Sequence, residues 1–353
     1  MGVGLYPFGI LVASWRYVYI SILASFIFFY DLDIFLLQSI IWFGFFRVFP
    51  LLPFGGYLLR RLSCENDSTV SVLPIVIQVA IINFAYLAYN IQEIFIFSSW
   101  LGIYASQYNY SVGYYQGCKN IKPVIFFRKI FVHILSLAIL TTVFIVDSEF
   151  TMLLGNAILA LIVLTNHYSG IRLSFRHKLS MDVVLIFYAL SQSVWMLLDR
   201  FIIELSDSIP GDDKFLYAVV SLLSTVIVTG VSSFIVVRKD WIVKVGDNNK
   251  TILPFVFLLL INFLLACVFI WLFGWLYFSP MFIAVASVVS IAANTRVFSS
   301  IKHTTLLLVF NVSAILVFCI KWKLGVDLAF LLLTMVAAKS IAPFLYLKFS
   351  RVN

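Results

Sequence analysis

Residues 34–61 read IFLLQSIIWFGFFRVFPLLPFGGYLLRR. A transmembrane helix needs about 20 predominantly apolar residues, and this stretch supplies them. It closes on Arg60 and Arg61, and basic pairs of this kind are typical of cytoplasmic helix ends. Arg47 lies near the middle of the apolar run, where a charge costs about 3 kcal/mol on translocon scales. The stretch therefore predicts a membrane-spanning helix with one cation that needs a polar environment.

The composition of the whole chain agrees with that local pattern. Charged residues make up 11% of the 353 residues, against about 25% in soluble domains, and the mean hydropathy is +1.06. The apolar runs lack the alternation of barrel strands, so the spans should be helices. We predict an all-α, polytopic membrane protein, and we interpret its basic loops as facing anionic membrane lipids rather than nucleic acid.

Cutting the sequence at charges, Pro and Gly predicts twelve spans. They are 8–29, 34–57, 71–89, 91–109, 128–147, 150–171, 181–204, 215–237, 252–276, 279–298, 304–320 and 326–347. The span at 91–109 is the least apolar, because it contains Ser and Gln.

The distribution of basic residues supports this count. With both termini cytoplasmic, 16 of the 24 Lys and Arg residues fall in the inner loops and tail, and five fall within spans. The outer loops hold only Lys214, Lys321 and Lys323. This asymmetry follows the positive-inside rule, and one missed span would invert every later loop.

Five basic side chains lie within the spans: Arg16, Arg47, Arg200, Arg296 and Lys339. Arg296 is close enough to a helix end to snorkel to the interface, and Arg16 is left between snorkelling and a role in a cavity. Arg47 and Lys339 are central, so we predict that they line a polar cavity, with an intramembrane ion pair as the alternative. A cationic interior indicates an anionic cargo.

Three further residues are candidates for a gate or for ion coupling. Asp199 and Arg200 are adjacent near the outer end of the seventh span, and they either cap that end or form a gate. Asp182 lies near the start of the same span, where it either complements the helix dipole or carries a coupling proton. The Cys and His residues are dispersed without metal-ligand spacing, so no cofactor or metal is predicted, and a coupling proton or Na⁺ is left open.

A weak internal repeat divides the chain into two halves of six spans. GGYLLRR (55–61) and SSFIVVRK (232–239) share a pattern of two small residues, an aromatic, aliphatics and a basic cluster. We predict an N-terminal six-helix lobe at 1–172 and a C-terminal lobe at 173–353, related as parallel repeats.

The stretch 34–61 resembles the second helix of polysaccharide flippases of the multidrug/oligosaccharidyl-lipid/polysaccharide superfamily. The stretch 181–239 is similar to that family's seventh and eighth helices, through Asp199–Arg200, an acidic short loop and a helix led by Tyr217. Together these features cover about a quarter of the chain.

The resemblance implies two six-helix lobes around a central cavity, in a multi-pass protein of the bacterial inner membrane. The implied cargo is an undecaprenyl-diphosphate-linked oligosaccharide, an O-antigen (lipopolysaccharide) or capsule unit, flipped from the cytoplasmic to the outer leaflet. Arg47, with Arg16 and Lys339, would hold the diphosphate, because guanidinium binds two oxygens at once. The protein would then be a transporter rather than an enzyme, with glycan polymerase machinery as a candidate partner.

Two other functions are weighed against this one. A membrane glycan polymerase or ligase would be an enzyme, but polymerases of O-antigen carry a long outer loop, and no outer loop here exceeds roughly a dozen residues. A cation-coupled multidrug exporter of the same superfamily would need carboxylates in its pocket, whereas this interior is basic.

The predicted topology can be tested with alkaline phosphatase fusions, because this reporter is active only outside the cytoplasm. A fusion after residue 148 should be active, and a fusion after residue 176 should be inactive. Matched green fluorescent protein fusions at the same positions should give the reverse pattern. The same activity at both positions would contradict the span predicted between them.

Overall fold

The computed structural model describes residues 18–48, 69–71, 73–89, 91–117, 123–168, 172–174, 179–237, 264, 267, 268, 271 and 301–349. Ten α-helices lie in these ranges. They are α1 (Val18–Phe29), α2 (Leu36–Val48), α3 (Leu73–Tyr89), α4 (Glu93–Gly117), α5 (Pro123–Val146), α6 (Thr151–Tyr168), α7 (Leu179–Leu205), α8 (Gly211–Val237), α9 (Ile301–Lys323) and α10 (Leu328–Phe349).

The remaining elements are short. Two single 3₁₀ turns precede α2 and α6, at Asp33–Phe35 and Ser148–Phe150. Strands β1 (Thr69–Ser71) and β2 (Arg172–Ser174) pair in parallel, with Thr69 opposite Arg172. The prediction of a helical protein is confirmed, with this strand pair as the small exception within the described ranges.

Where the structure describes a predicted span, most of its residues are helical; the exceptions lie at span ends, such as Ser71, which belongs to β1. The span at 91–109 is the longest departure, because its helix continues to Gly117. Of the span at 252–276, four residues are described, and all four are helical. The span at 279–298 lies outside the described residues, so the count of twelve helices stays a prediction.

Length and composition allow several of these helices to cross a membrane. Among the described residues, three helical stretches are long and apolar enough: Ser148–Thr165, Ile186–Leu205 and Thr305–Lys323. Five shorter apolar stretches lie in α1, α2, α3, α5 and α10. These stretches support the assignment to a membrane but do not identify which membrane.

Large apolar side chains that are exposed on helices also indicate a membrane environment. Leu264, Val268 and Trp271 share one helical face, and they are 57%, 49% and 83% exposed. Helix α9 leaves seven large apolar side chains exposed: Leu306, Val309, Phe310, Val312, Leu316, Val317 and Ile320. Soluble proteins rarely expose contiguous apolar surface of this kind, whereas lipid acyl chains cover it without penalty.

Contacts divide the chain into two compact units. The first comprises Met1–Leu37, Trp195–Val297 and Val312–Asn353, and the second comprises Gln38–Val194 and Phe298–Asn311. The two lobes predicted at 1–172 and 173–353 stay a prediction.

Helix α4 is the central helix of the second unit. Every residue from 94 to 108 is buried, and α4 packs against α3, α5 and α6. A helix buried on all sides is a core helix. This position explains how α4 accommodates its polar side chains, of which Ser98, Ser106 and Gln107 are wholly buried.

Two glycines allow close packing around α4. A Cβ at Gly102 would lie 2.5 Å from the carbonyl oxygen of Phe43, and a Cβ at Gly155 would overlap the ring of Trp100. The hydroxyl of Tyr104 also donates to the Gly155 carbonyl at 3.0 Å. Small residues at helix contacts commonly let membrane helices approach each other in this way.

In the first unit, α9 and α10 are joined by a turn with defined caps. Gly325 has a φ of +74°, and the amides of Gly325 and Val326 donate back to the carbonyls of Trp322 and Lys321. This pattern is the Schellman C-cap. Asp327 then caps α10, because its Oδ1 accepts from the Phe330 amide at 3.0 Å.

The contact at Gly155 can be tested by substitution. Gly155→Ala should lower the free energy of unfolding by about 2–3 kcal/mol, because the new methyl group overlaps the Trp100 ring. Gly211→Ala is the matched control, since a Cβ at Gly211 meets nothing within 4 Å. Thermal unfolding of the purified protein in detergent measures both, and equal stabilities of the two variants would contradict the contact.

A buried charge network on three helices

A network of polar and charged side chains lies inside the first unit. Helix α7 contributes Asp199 and Arg200, α8 contributes Tyr217, and α10 contributes Lys339. We call these four residues the charge network. Their sequence separations are large, so the folded chain is what brings them together.

The centre of the charge network is an ion pair. Lys339 Nζ lies 3.1 Å from Asp199 Oδ1, with side-chain exposures of 1% and 0%. Two charges removed from water are stabilised only when their geometry is good and their remaining hydrogen-bonding groups are satisfied.

Neighbouring groups satisfy both partners. The Tyr217 hydroxyl donates to Asp199 Oδ2 at 2.7 Å, so each carboxylate oxygen accepts a hydrogen bond. Lys339 also donates to the Met196 carbonyl at 3.2 Å and lies 5.2 Å from the centre of the Trp195 ring. A cation over an aromatic face gains further stabilisation. Trp195 and Asp199 are one helical turn apart, which places both on the face that meets Lys339.

Arg200 is the fourth member, and it differs from the others. It is 9% exposed, and its buried Nε forms no hydrogen bond within the described ranges. It interacts electrostatically with both Asp199 and Lys339. Side chains of adjacent residues point in different directions around a helix. This explains why Lys339, rather than Arg200, pairs with the Asp199 carboxylate. Two cations therefore lie beside one carboxylate in a buried setting, and of these two it is Lys339 that pairs with it.

An apolar cluster adjoins the charge network. Trp195, Leu198 and Ile202 of α7 pack with Phe318, Leu331 and Met335 of α9 and α10. These surroundings exclude water and lower the local dielectric constant, so electrostatic interactions in the network are stronger than at the surface.

The residues predicted from the sequence have different outcomes in the structure. Lys339 forms an ion pair, which was the alternative to lining a cavity. Asp199 and Arg200 both lie in its network, and a gating role for them stays a prediction. Asp182 lies in the first turn of α7, and its side chain is outside the described residues, as are Arg16 and Arg296 altogether.

Arg47 belongs to the second unit. It lies in the last turn of α2, is partly buried, and has its Cζ 5.9 Å from the centre of the Phe43 ring. A guanidinium at a helix C-terminus also complements the helix dipole. Its predicted contact with a diphosphate stays a prediction.

The sequence reasoning missed the partners of Lys339. The sequence marks Tyr217 only as a residue near the start of a helix, and it does not predict the hydrogen bond of Tyr217 to Asp199. Nothing in the spacing relates residues 199, 217 and 339, and the one available signal was that an acid and a base each lay within apolar spans.

Polar contacts also join helices of the second unit. Asn83 of α3 and Asn156 of α6 exchange side-chain hydrogen bonds at 3.1 and 3.2 Å. Asn311 donates to Gln192 at 2.8 Å and to Ser191 at 3.4 Å. Such side-chain bonds are a common means of association between membrane helices.

Comparisons with known proteins leave the family open. No protein-family model, no curated protein and no solved structure matches this chain. The fold and the network define a helical protein with membrane-compatible spans and a buried charged interior.

The ion pair predicts strong coupling between its two partners. Lys339→Met should destabilise the protein by about 3–5 kcal/mol, because Asp199 would stay buried without its cation. Lys339→Met combined with Asp199→Leu should cost about 1 kcal/mol or less, since replacing a whole buried pair by apolar groups is often neutral.

Denaturant unfolding of the purified variants measures this coupling. Lys323→Met is the matched control, because Lys323 is exposed, and we expect a change within about 0.5 kcal/mol. A double variant that loses the sum of the two single losses would show that the residues are not paired.

Proposed function

We propose that this protein is a transporter of the bacterial inner membrane that flips an undecaprenyl-diphosphate-linked oligosaccharide from the cytoplasmic to the outer leaflet. The observation that carries the proposal is the buried charge network, in which Lys339 pairs with Asp199 and Arg200 lies beside this pair as a second buried cation. The cargo would be an O-antigen or capsule unit.

The energetics of buried charge favour transport over a structural role. Ionisable residues inside membrane-compatible helices are expensive, and they commonly mark substrate or ion pathways. Replacing the Lys339–Asp199 pair with apolar groups would give a core of similar stability that contains no buried charge. The presence of a second buried cation is better explained by a ligand that carries negative charge.

The sequence supplies the remaining support. Its loop charges follow the positive-inside rule over twelve predicted spans. The stretches at 34–61 and 181–239 resemble the corresponding helices of polysaccharide flippases, and a diphosphate is the anionic group that such a cargo presents.

In the proposed mechanism no covalent bond changes. The cargo diphosphate competes with Asp199 for Lys339, while Arg16 and Arg47 supply further contacts to its oxygens. The glycan lies in the cavity between the predicted lobes, and the polyprenyl tail remains in lipid. A proton or Na⁺ could drive the cycle through Asp199 or Asp182.

One observation bears on the multidrug exporter. Asp199 is a buried carboxylate, which is the type of group that binds a cationic drug. However, Lys339 and Tyr217 already occupy both of its oxygens, so it offers no open anionic site. The flippase is therefore the better account of this network.

A translocation assay with lipid-linked oligosaccharide in proteoliposomes tests the proposal. Arg47→Gln should slow translocation about tenfold or more, because one charge-assisted contact to the diphosphate contributes roughly 1.5–3 kcal/mol. The double variant Lys339→Met/Asp199→Asn should also be slow, while its neutralised pair preserves the fold. Lys323→Gln, which removes an exposed charge, is the control and should keep the wild-type rate.

Membrane abundance and unfolding temperature of each variant serve as folding controls. Wild-type translocation by both Arg47→Gln and the double variant, at wild-type abundance, would rule out the cationic mechanism. Extension of the glycan by the purified protein alone would instead identify a polymerase.

A further inference from the structure

We infer that Arg200 forms a buried oxyanion-binding site, distinct from the Lys339–Asp199 pair, that takes a phosphate or carboxylate group. The inference starts from the unequal partnering of the two cations in the charge network. Lys339 has three neighbours that stabilise its charge: Asp199, the Met196 carbonyl and the Trp195 ring. Arg200 Nε is buried and has no hydrogen-bond partner among the residues that the structure describes.

The adjacent carboxylate is not available to Arg200. Lys339 occupies Asp199 Oδ1, and Tyr217 occupies Oδ2 at 2.7 Å. Across the part of the chain that the structure describes, Arg200 forms no ion pair with any other carboxylate. A buried charged donor without a partner is unfavourable, so an oxyanion that accepts from Arg200 would stabilise the folded protein.

The chemistry of the guanidinium group and its burial indicate which kind of ligand suits Arg200. Guanidinium presents a planar set of donors that matches the two oxygens of a carboxylate or phosphate. Arg200 is 9% exposed, whereas Asp199 is 0% and Lys339 is 2% exposed. Arg200 is therefore the least buried charge of the network, and an anion can pair with it without breaking the Lys339–Asp199 ion pair.

This site deepens the proposed function but does not depend on it. Three sources carry the required group: the diphosphate of the cargo, an acidic sugar of its glycan, or the headgroup of a membrane phospholipid. Binding can be measured without translocation, so either inference can fail while the other stands.

The experiment measures the unfolding temperature of the full chain in phosphatidylcholine nanodiscs. The probes are sodium phosphate and sodium D-glucuronate, each compared with sodium chloride at equal ionic strength, and D-glucose is the uncharged control. We expect a saturable rise in unfolding temperature with at least one of the two oxyanions and none with glucose, because a ligand that binds the folded state stabilises it.

Variants assign any rise to Arg200. Arg200→Gln should abolish the saturable rise or weaken its midpoint at least tenfold, and Lys323→Gln should retain it. Arg200→Lys keeps the charge but loses the planar donors, so its midpoint should be weaker than that of wild type. This variant also provides the test if Arg200→Gln does not unfold cooperatively.

Each outcome decides the inference. A rise with phosphate alone identifies a phosphate subsite, and a rise with glucuronate identifies a site for acidic sugars. Loss of the rise in phosphatidylglycerol nanodiscs identifies the lipid headgroup as the occupant. An equal effect of sodium chloride, no saturable effect of either oxyanion, or a wild-type midpoint in both Arg200 variants would overturn the site.

Discussion

The ion pair between Lys339 and Asp199 is the interaction around which the first unit is arranged. It links α7 to α10, and Tyr217 adds α8 through the second carboxylate oxygen. Neither charge reaches solvent, so each depends on the other for its stability. Helices that carried one of these residues without its partner would be strongly destabilised, and the pair therefore constrains how the three helices can pack.

The two units accommodate buried polar side chains in different ways. In the second unit, α4 buries Ser98, Ser106 and Gln107, and paired amides such as Asn83 and Asn156 connect neighbouring helices. In the first unit, the Lys339–Asp199 ion pair and the Tyr217 hydroxyl connect neighbouring helices instead. Outside both interiors, exposed apolar side chains such as those of α9 are suited to lipid. Charge is thus kept either within protein or, by prediction, in the loops.

Hydropathy predicted the helices well because apolar length is a local property of the chain. Each described span was helical, and the main error was the end of the span at 91–109. Its helix runs on to Gly117, eight residues beyond the predicted end at 109. The charge network could not be predicted, since the pairing of Asp199 with Lys339 and Tyr217 is set by tertiary packing. The sequence identified both charges as unusual and left Lys339 between a cavity and an ion pair; the structure shows the ion pair with Asp199, and a role in a cavity stays a prediction.

The central claim is that Asp199 is ionised and held by Lys339 within a water-poor interior. Infrared difference spectroscopy between wild type and Asp199→Asn measures this most directly, because ionised and protonated carboxyl groups absorb at separate frequencies. The account predicts that the substitution removes an ionised carboxylate band that hydrogen–deuterium exchange leaves largely unshifted. Loss of a protonated carboxyl band would instead show that the two side chains are not an ion pair, and the account would be contradicted.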